Sequence, residues 1–150
     1  MASQKLLDYL NKGIARELQV SIQYMWQSIQ ATGVNGLVAK KVFREISIVE
    51  MKHAEALAER LDQLNGIPTI EPDPISVGAN VLEMLKHDEQ NEEEAIVLYK
   101  KAIQVASQEG DFTTRRLLEE ILAEEESHID QFGKLIVGMT DPFTQPVPDL

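Results

Sequence analysis

Between residues 39 and 64 the apolar side chains of this 150-residue chain return every three or four positions: Ala39, Phe43, Ile46, then Glu50 and His53, then Leu57, Leu61 and Leu64. That is the period of an α-helix, so these residues mark the face such a helix buries. A carboxylate and an imidazole interrupt the stripe at its middle, where a buried polar group needs a partner. Three other stretches repeat the pattern: Leu10, Ile14, Glu17, Ser21, Tyr24, Ser28; Val81, Leu85, Glu92, Ile96, Tyr99, Ile103, Ala106; and Leu118, Ile121, Glu125, His128, Phe132, Leu135, Met139. Strand-like alternation is nearly absent, and the chain reads as all-α.

Punctuation sets the expected bounds. The first helix runs from about Ser3, a candidate N-cap, to Ala31; the second from near Gly36 to Gly66; the third from about Val77 to Ser107; the fourth from Asp111, a second candidate cap, to near Gly138. Helices one and two, and three and four, are joined by a few residues, so each pair is an antiparallel hairpin. Between the hairpins lie residues 66–76, with Pro68, Pro72 and Pro74. A helix of about 28 residues is about 42 Å long, and eleven or twelve extended residues reach about 40 Å. The linker can therefore run the length of a bundle, and the expected fold is a four-helix bundle with one long crossover between helices two and three. Residues 1–140 form the bundle and 141–150 a proline-rich tail.

The chemistry lies in an internal repeat. Glu17 precedes the pair Glu50 and His53 by the same 33 residues that separate Glu92 from the pair Glu125 and His128, and the two copies, with Tyr24 and Tyr99, are offset by 75. Glu and His at i, i+3 share a helical face, so one turn offers an oxygen and a nitrogen to one ion. A pseudo-twofold packing of the hairpins brings four carboxylates and two imidazoles to one point, a site for two metal ions. The shell is oxygen-rich and suits iron or manganese, with zinc able to occupy it. By geometry Glu50 and Glu125 bridge, Glu17 and Glu92 are terminal ligands, and His53 and His128 supply nitrogen. Tyr24 and Tyr99 lie two turns beyond Glu17 and Glu92, within reach of a hydrogen bond to a ligand carboxylate or of electron donation. Trp26 reads as packing and His87 as a solvated histidine. In the runs Glu92 to Glu94 and Glu124 to Glu126 only one member of each falls on the stripe.

Composition removes other classes. The chain has no cysteine, which excludes disulfides, thiolate metal sites and thiol catalysis. Its net charge of -11 repels phosphate backbones and anionic membranes, so nucleic acid and membrane surfaces are not expected partners, whereas cations are. No apolar run approaches the roughly 18 residues of a membrane span. The first residues lack the pattern of a secretory signal, and a cytoplasmic protein is expected.

The chain resembles the bacterioferritins, within the ferritin-like di-iron carboxylate proteins, from Leu10 to Asp130. The likeness is carried by Leu10-Asn11-Lys12, Gln23-Tyr24, Glu50-Met51-Lys52-His53-Ala54, Glu83-Met84-Leu85, Leu117-Leu118-Glu119-Glu120-Ile121-Leu122 and Glu125-Glu126-Ser127-His128-Ile129-Asp130. All six ligand positions match. The resemblance implies a ferroxidase that oxidises two Fe(II) per subunit with O2 or H2O2 and stores the ferric product in a hollow homo-oligomeric shell. It singles out Tyr24 over Tyr99. It also implies haem b at a subunit interface through Met51, which faces away from the metal stripe; the alternative is an interface methionine that packs and ligates nothing.

One departure concerns assembly. Bacterioferritins end in a short fifth helix that lines the fourfold channels of a 24-subunit shell, and Pro142, Pro146 and Pro148 preclude such a helix here. A shell of 12 or 24 subunits and a smaller dimer all remain open. The competing functions are a di-metal redox enzyme without storage, manganese catalase-like or peroxidase-like, and a structural bundle whose inward Glu and His form a polar network.

Overall fold

The computed structural model describes residues 1–141, and among these it contains four helices and no strand. They are α1 (Gln4–Gln30), α2 (Gly33–Gln63), α3 (Val81–Gln108) and α4 (Phe112–Thr140). The expected all-α bundle with one crossover is present. The tail expected over 141–150, and with it the exclusion of a fifth helix, falls on residues 142–150, outside the described residues.

Caps explain most of the ends. The hydroxyl of Ser3 accepts from the Leu6 amide at the start of α1, and Asp111 accepts from the Thr114 amide at the start of α4, each satisfying a donor that the first helical turn leaves free. Two starts differ from expectation. The second helix begins at Gly33 instead of Gly36, because the turn after α1 takes only two residues. Gly36 is a point of close approach: a Cβ there would lie 2.8 Å from the carbonyl carbon of Ala31. The third begins at Val81 instead of Val77, where Asn80 accepts from the Glu83 amide and Glu83 accepts in return from the Ala79 amide, a reciprocal cap.

The crossover is consequently residues 64–80, longer than expected, and it is fastened along α1. Asn11 donates to the Ile67 carbonyl and accepts from the Thr69 amide, the Asp73 amide donates to Ala15, and the Ser76 amide donates to Gln23. Near the C-terminal end of α1, Gln27 donates to the Val77 carbonyl. Chain that leaves the end of α2 is thus carried back up α1, and α3 starts at the level where α2 started, running parallel to it.

The core is laid out on either side of the polar stripe positions. One cluster comprises Leu10, Ile14, Leu57, Leu61, Ala95, Tyr99, Ala102, Leu118 and Ile121; the other comprises Val20, Tyr24, Ala31, Ala39, Phe43, Ile46, Met84, Leu85 and Phe132. On α3 the buried face is rotated from the expected stripe. Ala95 and Ala102 are buried while Ile96 and Ile103 are only half-buried, because small side chains let the helix pack closely at its innermost line. Trp26 does not fill this core; it is 48% exposed in the single chain.

Candidate metal centre

All six repeat residues converge between the two apolar clusters, and Glu17, Glu50, Glu92 and Glu125 are fully buried. One ligand-type atom from each of Glu17, Glu50, His53 and Glu125 lies within 4.8 Å of all the others in that set, and the same holds for Glu50, Glu92, Glu125 and His128. Glu50 and Glu125 belong to both sets. The duplicated Glu and Glu-x-x-His pattern is therefore arranged as two overlapping clusters, each with one carboxylate of its own and one imidazole.

Each histidine turns its Nδ1 towards the carboxylates. His53 Nδ1 is 2.9 Å from Glu50 Oε2 and 3.0 Å from Glu125 Oε1, and His128 Nδ1 is 3.2 Å from Glu50 Oε1. The other nitrogen of His53 faces Glu124 at 3.3 Å, a carboxylate placed to orient the ring from outside. Close as they stand, the buried Glu50 Oε1, Glu125 Oε1 and His128 Nδ1 make no aligned hydrogen bond. Orphaned lone pairs converging in a dry interior are what a cation would satisfy, so the donor set fits divalent metal.

Two tyrosines close the cluster across the hairpins. Tyr24 of α1 donates to Glu92 Oε1 of α3 at 2.5 Å, and Tyr99 of α3 donates to Glu17 Oε1 of α1 in a short hydrogen bond. Each phenol holds the carboxylate on the first helix of the opposite hairpin, not the one on its own stripe. Tyr99 is as closely engaged as Tyr24, although only Tyr24 was singled out from sequence. Burial, with a carboxylate beside each, raises both phenols well above their ordinary value.

Within the cage itself, sequence reasoning missed Arg16. It is 6% exposed, and its guanidinium lies among the four carboxylates: Nη1 is 2.9 Å from Glu17 Oε2, 3.1 Å from Glu125 Oε2 and 3.6 Å from Glu50 Oε1, and Nη2 is 2.8 Å from Glu92 Oε2. A signal for it existed, since Arg16, Gln19, Gln23 and Gln27 form a second stripe at helical spacing, flanking the first. That stripe is buried against α3 and the crossover. There Gln23 and Gln27 donate to Asp88 Oδ1 at 3.0 and 2.8 Å, leaving Asp88 Oδ2 buried without a partner.

The cage divides its charge unevenly. Burial pushes Glu17 and Glu92 well up. Burial and the neighbouring Glu125 also act to raise Glu50, but Arg16 and the two imidazoles outweigh them and bring it to about 2; Arg16 and the imidazoles likewise hold Glu125 well below the usual carboxylate range. Although burial acts to lower both imidazoles, Glu125 and Glu50 raise His53 to about 11 and His128 to about 9. Metal binding here would expel those protons.

The other predicted positions lie apart. Met51, next to Glu50 on the opposite side of α2, is 53% exposed, and Met25, Ile29 and Ile48 also present apolar surface on α1 and α2. His87 is half-buried on α3 away from the cluster, 3.9 Å from Glu83. Glu93, Glu94, Glu124 and Glu126 are exposed, as the stripe reading required. No helix among the described residues is long and apolar enough to cross a membrane.

The family profile described as ferritin-like domain matches residues 7–140. The chain is 34% identical over 129 residues to a bacterioferritin of Brucella melitensis, covering 84% of this chain and 79% of that protein. It is 33% identical over 143 residues to a bacterioferritin of Desulfovibrio desulfuricans, covering 93% and 80%. Among solved structures, a ferritin-like diiron-carboxylate protein from Bacillus anthracis superposes with a TM-score of 0.86 at 29% identity, over 89% of this chain and 96% of that one.

Proposed function

Since this chain belongs to the ferritin-like family, on its bacterioferritin branch, we propose that it is a ferroxidase and iron-storage protein, its bundle of residues 1–140 assembling into a hollow homo-oligomeric shell of 12 or 24 copies in the cytoplasm. The observation that carries this reading is the overlap of two four-residue donor sets on Glu50 and Glu125. Iron enters as the substrate. Glu17 and His53 hold one Fe(II), Glu92 and His128 hold the other, and Glu50 and Glu125 bridge them. Two Fe(II) give up one electron each, and the pair reduces O2 to H2O2, or H2O2 to water, with uptake of two protons.

The protein's own residues prepare that exchange. Buried carboxylates favour the bound cations that neutralise them, while Tyr24 and Tyr99 fix the orientation of Glu92 and Glu17 through one oxygen each, the second oxygen of each accepting from Arg16. Manganese or zinc can occupy the same shell. Met51, exposed beside Glu50, is proposed as a haem b ligand shared between two subunits, which a haem absorbance spectrum lost in Met51→Ala would test.

The deciding experiment is the mass of the native particle by light scattering before and after aerobic Fe(II) loading, with iron counted per subunit. A shell holding far more than two irons per subunit is expected. A small oligomer that stops at two metals would instead favour a di-metal redox enzyme without storage.

A further inference from the structure

The position of Arg16 bears on how metal gains the centre. Its guanidinium contacts Glu17, Glu92, Glu125 and Glu50 at 2.9, 2.8, 3.1 and 3.6 Å, so this one buried side chain engages every carboxylate of the two donor sets. We propose that Arg16 is an internal counter-cation of the carboxylate cage, which divalent metal must displace and which thereby sets the affinity of the centre. The inference rests on reading the cluster as a metal centre.

Three observations support it. A carboxylate oxygen whose lone pair accepts from a guanidinium N–H does not present that lone pair to a metal, and two cations at these distances repel. Charge balance then separates two states. Four ionised carboxylates match two divalent ions without Arg16, whereas in the absence of metal the guanidinium and the two imidazoles are the groups set against the carboxylates. Finally, the buried Nε of Arg16 has no partner, so the head group is held chiefly by the carboxylates that metal would claim. A guanidinium suits this task because its planar fork reaches several carboxylates at once and it never loses its charge.

The test compares the full-length parent with Arg16→Gln, both stripped of metal by chelation, using Co(II) as an oxidation-resistant probe followed by calorimetry and visible absorbance. Arg16→Gln should bind Co(II) at least about tenfold more tightly, and its metal-free form should melt below the parent. Equal or weaker Co(II) binding by folded Arg16→Gln would overturn the proposal, because a residue that merely supports the ligands would leave affinity unchanged or lower it. If metal-free Arg16→Gln does not fold, Arg16→Lys decides: it keeps the charge with fewer contacts and must bind Co(II) more tightly than the parent, and failure to do so overturns the proposal. Absence of Co(II) binding by the parent and by every variant would remove the metal-centre reading itself, a result distinct from equal affinities.

Discussion

Tyr24 on α1 donates its phenol to Glu92 on α3 at 2.5 Å, and Tyr99 returns the same bond from α3 to Glu17 on α1. The two hairpins therefore grip each other through Glu17 and Glu92. A hydrogen bond to a charged group is worth about 1.5 to 3 kcal/mol, and loss of such an outer partner typically lowers metal affinity by about 10- to 100-fold. Tyr99→Phe and Tyr24→Phe should each weaken Co(II) binding into that range and by comparable factors, measured by titration. If only Tyr24→Phe has an effect, the pseudo-twofold equivalence of the two phenols is wrong.

The shared membership of Glu50 and Glu125 predicts a graded loss of stoichiometry. Substituting Glu17 by Ala should leave about one metal per subunit, because the Glu92 and His128 side keeps its donors. Glu50→Ala should abolish tight binding of both. Metal counting after gel filtration reads the difference, and a Glu50→Ala variant that still holds two ions would refute the bridging role.

Asp88 lies outside the metal cage, and burial raises its carboxyl from an ordinary 3.8 to about 8 despite hydrogen bonds from Gln27 and Gln23. Folding therefore binds a proton at this site. Its contribution is most favourable below about pH 4 and is lost as pH rises through about 8. Asp88→Asn removes the titration, so the stability of the variant relative to the parent should increase steadily from pH 4 to pH 8, read from urea unfolding at each pH. A constant difference across that window would show that Asp88 is ionised in the folded protein.

At the other end of the bundle Arg60 of α2 donates to Asp111 at 2.9 Å and to Thr114 at 2.7 Å, while Asp111 caps α4. Burial alone would raise Asp111, but the bonds from Thr114 and Arg60 hold it below its ordinary value. Asp111→Ala should cost about 1 to 2 kcal/mol, the scale of a lost N-cap, and the penalty should shrink as pH falls below 3.8. Thermal melts of parent and variant at neutral and acid pH provide the check.

Gly13 marks how tightly the Tyr99 contact is packed, since a Cβ there would lie 3.0 Å from Leu57 Cδ1 and 3.3 Å from the Tyr99 ring. Gly13→Ala should perturb Tyr99 more than Tyr24, which near-ultraviolet circular dichroism in the Tyr24→Phe and Tyr99→Phe backgrounds would separate.

Helical period and the 75-residue offset were enough to place Glu17, Glu50, His53, Glu92, Glu125 and His128 on inward faces, because a helix repeats geometry at short range and burial follows the apolar stripe. The same reasoning made the one-crossover bundle legible from the length of the proline-bearing linker. It misjudged α3, where Ala95 and Ala102 take the innermost line, because side-chain size at a helix contact depends on how near the facing helix comes. It passed over Arg16 and Asp88, since a lone charge on a helix reads as solvated until a partner is seen. The sequence alone thus determined which residues share a face within each helix. Only the tertiary structure decided that each tyrosine serves the opposite hairpin and that one guanidinium stands among four carboxylates, for contacts between helices depend on their separation and relative rotation, which no local period encodes.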